Sequence, residues 1–348
     1  MVPAAIDDGP PISVFLNSNE NAFGPGRKAV AAARAAVGEM HRYVENQDRI
    51  LVPELASHFG LDPDRIAIGC GSDDLLARIC RAYLRPGDEL LRSANSYLKV
   101  PNYAHANDAI PVAAPDHAFS PVPESLLASV TDRTRIIYLA NPDNPSGSYL
   151  EFETIRGLHA ELPGRVVLIV DCAYFDYVDI DDPRQLYRLV EHSGNVVMTR
   201  TFSKVHGLAG ARIGWAYGPP PLVDAIGRIS TTFPVATPSI AAALAALDDR
   251  AHADMVVSKT SRLRQVFTDR FAASGIRVHP SQGNFLLLEF TDRQWGADAA
   301  SRLLRGRGIA LRRFAAPSYG NCLRVTLGFE RELVLAAEAL EEFMRGRG

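Results

Sequence analysis

Three polar side chains each follow a run of apolar residues of strand length. Residues 135–140 (RIIYLA) lead into NPDNPSG, which carries Asn144; 165–170 (RVVLIV) lead into DCAY, headed by Asp171; 195–201 (NVVMTRT) lead into FSKVHGLAGAR, which carries Lys204. Asn144 and Asp171 stand 27 residues apart, and Asp171 and Lys204 stand 33 apart. Each interval is about one βαβ unit of ~30 residues. Open α/β sheets bind ligands beyond the carboxyl ends of their strands, so an amide, a carboxylate and an amine arrive at one edge of one sheet. Taken singly, Asp171 reads as a helix cap, Lys204 as a solvated surface charge and residues 144–147 as an ordinary turn. In common register they make a candidate site.

A fourth segment supplies the means to hold an anion. Residues 69–73 (GCGSD) connect a short strand, 65–68, to a helix expected to begin near Asp73. Free N–H groups at such a helix start bind phosphates. Position 74 is Asp instead of the third glycine of the dinucleotide fingerprint, which weighs against a nicotinamide enzyme.

These segments need a sheet to position them. Apolar strands at 135–139, 165–170 and 195–199 alternate with helical stretches at 152–161 and 183–192, the pattern of a parallel sheet buried on both faces. A fourth strand, 212–217, follows too closely for a helical crossover and is expected to run antiparallel or to sit elsewhere in the sheet. Helices are expected at 27–37 and 73–83. Beyond Pro238 come helices at 239–247 and 253–273, a strand at 285–290, a helix at 297–305, a strand at 322–327 and a closing helix at 332–344. That tail reads as a smaller α+β domain. The expected architecture is α/β: a large domain with a mostly parallel sheet sandwiched by helices, plus a smaller α+β domain. The division is an N-terminal arm with part of the small domain (1–40), a large domain (41–240) and a small C-terminal domain (241–348).

Composition narrows the partners. The chain has 348 residues, 37 basic against 40 acidic, for a formal net charge of −3. A balance this close to neutral offers no electrostatic footprint for nucleic acid or an anionic membrane. No apolar run reaches the ~18 residues of a membrane span. Residues 1–11 lack the basic start of a signal peptide, and four scattered cysteines (70, 80, 172, 322) suggest neither a disulfide framework nor a metal site. A cytoplasmic protein is expected.

On these motifs the sequence resembles the fold-type I pyridoxal phosphate enzymes, and within them the class I/II aminotransferases, most of all the histidinol-phosphate aminotransferases. The likeness runs in order through LNSNENAFGP (16–25), GCGSDDLL (69–76), NPDNPSG, DCAY, TFSKVHGLAGARIGW (201–215) and CLRVTLG (322–328). It implies that Lys204 holds the cofactor through its amine and then serves as general acid and base. It implies that Asp171 pairs with the pyridine nitrogen, and that Asn144 and Tyr174 hydrogen-bond the ring oxygen. Gly71, Ser72, Asp73, Ser203 and Arg212 would cage the cofactor phosphate, and Tyr97 would stack on the ring. Tyr43 would reach the cofactor phosphate of a neighbouring subunit, making the enzyme a homodimer. Arg324, with Arg312 beside it, would grip the substrate anion, and Asn19 belongs to an arm that closes over the site.

The departures concern substrate. Phe23 and Ala22 stand where the family has tyrosine and proline, residues 42–46 (RYVEN) keep the tyrosine of a proline-rich motif, and Val100 replaces an aromatic. The reaction expected from the resemblance is amino-group transfer, in amino-acid biosynthesis, from an anionic donor such as histidinol phosphate to a 2-oxo acid such as 2-oxoglutarate. The alternatives are a decarboxylase of the threonine-phosphate type and an aminotransferase specialised for another amino acid. A regulatory domain that only senses the cofactor is disfavoured by the presence of Lys204.

Overall fold

The computed structural model describes residues 10–44, 47–180, 182–292 and 295–346. Glu45 and Asn46 of the RYVEN motif, and residues 1–9, lie outside them. The first eight strands are β1 (Val14–Leu16), β2 (Ile66–Gly69), β3 (Glu89–Ser93), β4 (Ile110–Ala114), β5 (Thr134–Ala140), β6 (Val167–Asp171), β7 (Val196–Thr201) and β8 (Gly214–Tyr217). The remaining four are β9 (Arg277–Val278), β10 (Phe285–Glu289), β11 (Ile309–Leu311) and β12 (Cys322–Thr326).

Seven strands form one sheet in the order β2-β8-β7-β6-β5-β3-β4. Pairing is parallel from β7 through β4, while β8 is antiparallel to both β7 and β2. The reversed strand is the one whose connection is too short for a crossover. Every residue of β6 is buried, yet the strand keeps its period of two. Leu168 and Val170 pack into one core with Val196 and Met198; Val167 and Ile169 pack into another with Tyr138 and Val197. Each such side chain contributes ~1.5–3 kcal/mol by leaving water, so helix-covered apolar layers on both faces hold the sheet edge rigid.

A third core gathers Val14 and Leu16 with residues from 263 to 344. There β12, β10 and β9 form an antiparallel sheet, and β1 pairs in parallel with β11. The chain's first described strand is thus fastened to its last third. The 24-residue helix Arg250–Ala273 starts three residues before the expected position. From it, Arg264 donates to the carbonyls of Gly283 and Tyr177 at 3.0 and 3.4 Å. One side chain therefore ties together the segments that precede β10 and follow β6.

Candidate active site

The carboxyl ends of β2, β5, β6 and β7 open into one cleft. Asn144, Asp171 and Lys204 all line it, as do Tyr174, Ser203, Arg212, Ser72, Asp73, Tyr97, Asn19 and Arg324. Sheet register explains the placement. Ala140 of β5 lies opposite Asp171 of β6, which lies opposite Thr199 of β7, so the strands end nearly level.

Asp171 is buried at the bottom. Its carboxylate accepts hydrogen bonds from the Tyr138 hydroxyl at 2.7 Å and from Thr199 Oγ1 at 3.0 Å. Burial raises its pKa, against the lowering effect of those two donors. Among the described residues no cation pairs with it. A carboxylate so placed is poised to receive a positive charge from a bound molecule. Tyr138 and Thr199 were not singled out from the sequence. Their signal was there: polar side chains inside otherwise apolar, fully buried strands need partners.

Lys204 reaches the cleft from the loop after β7, its Nζ donating to the Asn19 carbonyl at 3.1 Å. Asn19 Nδ2 in turn donates to the Tyr174 hydroxyl oxygen at 2.9 Å, leaving the tyrosine's own hydrogen free. The arm is pinned by the Asn19 backbone N–H, which donates to Thr326 Oγ1 at 2.9 Å, and by Asn284 Nδ2, which donates to the Asn19 carbonyl at 3.2 Å. Asn284 is a further contributor that the sequence motifs did not flag.

The anion-binding end forms where the helix Ser72–Tyr83 begins, one residue earlier than expected, with no side-chain cap on its first turn. Asp74 staples the loop before it, accepting from the Cys70 N–H at 2.8 Å and from Arg78. Gly71 adopts a positive φ of 84°, and a Cβ there would lie 2.6 Å from Arg212 Nη2. Arg212, itself left-handed at φ 51°, donates to the Ala209 carbonyl at 3.0 Å and to Ser203 Oγ at 3.5 Å. Ser203 Oγ also accepts from Thr201 Oγ1 at 2.9 Å. Its own hydrogen is thereby available to an anion beside the uncapped helix.

Across the cleft, Arg324 on β12 donates from Nη1 to Asn144 Oδ1 and from Nη2 to the Asn17 carbonyl. Its Nε is buried without a protein partner. Burial pushes its pKa down to about 10, and the charge of Arg312 adds in the same direction. Arg312 pairs backbone to backbone with Arg324 and lines a neighbouring recess with it. Arg313 points away to Asp298, as extended backbone requires.

Besides Arg312, two expected residues are not brought to this cleft. Phe23 packs edge-on against Phe329 at 5.8 Å, under Lys259. Tyr43 is 78% exposed and stacks on Phe233 at 4.4 Å.

A seven-stranded sheet with one reversed strand, and an amine, a carboxylate and an anion cradle at its edge, agree with what comparison finds. The profile of the family described as aminotransferase class I and II matches residues 11–340, and the chain belongs to that family. A histidinol-phosphate aminotransferase of Rhodospirillum centenum is 42% identical over 331 residues, 95% of this chain and 91% of that one. Its namesake in Nitrobacter hamburgensis is 42% identical over 332 residues, covering 94% and 90%. Among solved structures, the histidinol-phosphate aminotransferase of Sinorhizobium meliloti in complex with pyridoxal-5'-phosphate superposes with a TM-score of 0.92 at 32% identity, over 97% of this chain and 92% of that one. Aspartate aminotransferase of Thermus thermophilus, at 21% identity and a TM-score of 0.83 over 95% and 92%, shares the fold.

Proposed function

We propose that this chain is a pyridoxal phosphate-dependent aminotransferase that takes its amino group from an anionic amine of the histidinol phosphate kind and passes it to a 2-oxo acid such as 2-oxoglutarate. The observation that carries the reading is that Lys204, Asp171 and Asn144 border one cleft whose far end is an uncapped helix start flanked by Ser203 and Arg212. The residues fit the cofactor: a buried carboxylate that lacks a cation suits a protonated ring nitrogen, and the donors at 72, 203 and 212 suit a phosphate. The names of the relatives favour transamination over decarboxylation.

Pyridoxal phosphate, when bound, supplies an electron sink for the substrate's α-carbon. The chain does the rest. Asp171 would keep the ring nitrogen protonated, steadied by Tyr138 and Thr199. Tyr174, its oxygen already engaged by Asn19, would donate its hydroxyl hydrogen to the ring oxygen. Asn144, its Oδ1 held by Arg324, keeps Nδ2 for the same duty. Lys204 Nζ would move the proton between the substrate's α-carbon and the cofactor's C4′. Arg324 and Arg312 would hold the donor's anion, for which a guanidinium fork is suited, and Tyr97 would cover the ring.

The reading extends to a cytoplasmic homodimer in which the exposed Tyr43 reaches the neighbouring subunit's cofactor. In keeping with it, no helix among the described residues is long and apolar enough to cross a membrane. It also takes 41–240 as the cofactor domain, with the arm 1–40 and the segment 241–348 around the third core.

A visible spectrum tests the lysine. Wild-type protein mixed with the cofactor gains the absorption of an aldehyde joined to a protein amine, and Lys204→Ala lacks it. The variant's transamination falls by at least ~10²–10⁴-fold, the share of a positioned acid–base group. Identical spectra from the two proteins would remove Lys204 from the reaction.

A further inference from the structure

We propose that Lys99 is a specificity-determining residue: it completes a three-cation subsite, with Arg312 and Arg324, that selects donors bearing a phosphate monoester. The inference deepens the reading of the active site given above and rests on it. The subsite is a recess that opens onto the main cleft, because Ser18, Tyr97, Asn144 and Arg324 border both. The charged side chains among its described lining residues are Lys99, Arg312 and Arg324, with no carboxylate.

Arg324 gives its two Nη groups to Asn144 and Asn17, and among the described residues its Nε and the Lys99 ammonium keep donors without a hydrogen-bond partner. The Arg324 guanidinium lies 5.3 and 5.6 Å from the ring centroids of Phe285 and Phe314. Arg312 is bound to Arg324 through backbone groups, which places its side chain at the same recess.

Lys99 lies at the mouth, about half exposed, with Nζ 3.8 Å from Asp73 Oδ2. That separation is too long for a hydrogen bond, so Asp73 steers the ammonium without using its donors. The other oxygen of Asp73 accepts from Tyr103 at 2.7 Å and from Tyr97 at 3.2 Å. Asp73 is therefore anchored on the cleft side, while Lys99, its Nζ also 5.7 Å from the Tyr103 ring centroid, borders the recess. One guanidinium satisfies a carboxylate; three cations around one recess match a monoester that carries close to two negative charges.

The test compares wild type with Lys99→Met and Lys99→Arg, all as cofactor-loaded enzyme. Two readouts are taken: kcat/KM for histidinol phosphate relative to histidinol, and calorimetric binding of inorganic phosphate. The proposal expects Lys99→Met to lower the ratio about five- to tenfold, chiefly through KM, and to weaken phosphate binding to the same degree. Lys99→Arg should restore most of both. An unchanged ratio with unchanged phosphate binding overturns the proposal, as does an equal loss on both donors, which would make Lys99 a support for Tyr97. Should wild type turn over neither donor yet bind phosphate through Lys99, the subsite stands and the reading of the donor falls. Should wild type use histidinol phosphate well and Lys99→Met bind phosphate equally, the reaction stands and the role of Lys99 falls.

Discussion

Two carboxyl groups lie buried at the sheet edge, and burial displaces both upward. Asp143, between the two Asn–Pro pairs, is pushed to about 7 despite hydrogen bonds from Ser96 and Ser146; Asp171 is raised for the same reason. A carboxyl whose folded pKa exceeds its unfolded value binds its proton more tightly in the folded state. Stability is therefore full below the ordinary carboxylate range and falls as pH climbs through the folded value, by at most ~1.4 kcal/mol per pH unit for each group. We expect these two groups to pull the Tm of cofactor-free protein down between about pH 4 and 7, against an opposite pull from buried His206, whose pKa burial lowers to about 4. Asp143→Asn should flatten part of that slope in a pH series of thermal melts. Added pyridoxal phosphate should flatten the part due to Asp171 by supplying its missing cation. A slope that neither change alters would mean these carboxyls are better solvated than their burial implies. At this scale the sequence was informative where a side chain announces chemistry. Asn144, Asp171 and Lys204 were legible from the strands that precede them, and Arg212 through the family resemblance. Tyr138 and Thr199 were not, because inside a strand a tyrosine or threonine is equally a packing residue until its neighbour across the ladder is known.

The elements that carry these residues meet at very short range. Gly214, at the start of β8, has no room for a side chain: a Cβ would stand 2.7 Å from the Ser72 N and 2.8 Å from the Arg200 carbonyl oxygen. Both are backbone atoms, which cannot swing aside as a flexible side chain can. Gly214→Ala should therefore push the helix start away from Ser203 and Arg212. We expect a loss of ~1–3 kcal/mol in stability and roughly tenfold weaker cofactor binding, measured by denaturant titration and by cofactor dissociation. Gly157, inside the helix Phe152–Glu161 with open space around it, is the control. Gly157→Ala should gain up to ~1 kcal/mol from helix propensity and leave cofactor binding alone. Equal behaviour of the two would refute the close-approach argument. The strands β5, β6 and β7 were readable as apolar runs between helices. The edge pair was not: β3 carries Glu89 and Arg92, buried through their hydrogen bonds, and β4 carries Pro111. Charge and proline are what a sequence reader takes as signs of a loop; the edge strand β4 tolerates its proline, and in β3, paired on both sides, the charges are held by hydrogen-bond partners. The antiparallel course of β8 followed from loop length as one of two options, and the register with β7 and β2 selects it.

Across the whole molecule, the cleft is assembled from segments far apart in the chain. Asn19 meets Tyr174 and Lys204 across more than 150 residues, and Arg324 meets Asn144 across 180. Family resemblance named Asn19, Tyr174 and Arg324, while periodicity and spacing could not, because β1 must first pair with β11 to bring the arm over the site. Packing of that kind is a property of the finished core, in which Val14 and Leu16 sit among residues from 263 to 344. It makes the arm part of the cleft's lining. The chemistry that follows is one of amino-group transfer in two halves, and a single half tests it most directly. Cofactor-loaded protein is mixed with histidinol phosphate and no 2-oxo acid, and the cofactor is released and weighed by mass spectrometry. The account predicts about one aminated cofactor per subunit, restored to the aldehyde when 2-oxoglutarate is added. Cofactor recovered unchanged as the aldehyde, with this donor and with glutamate alike, would contradict it.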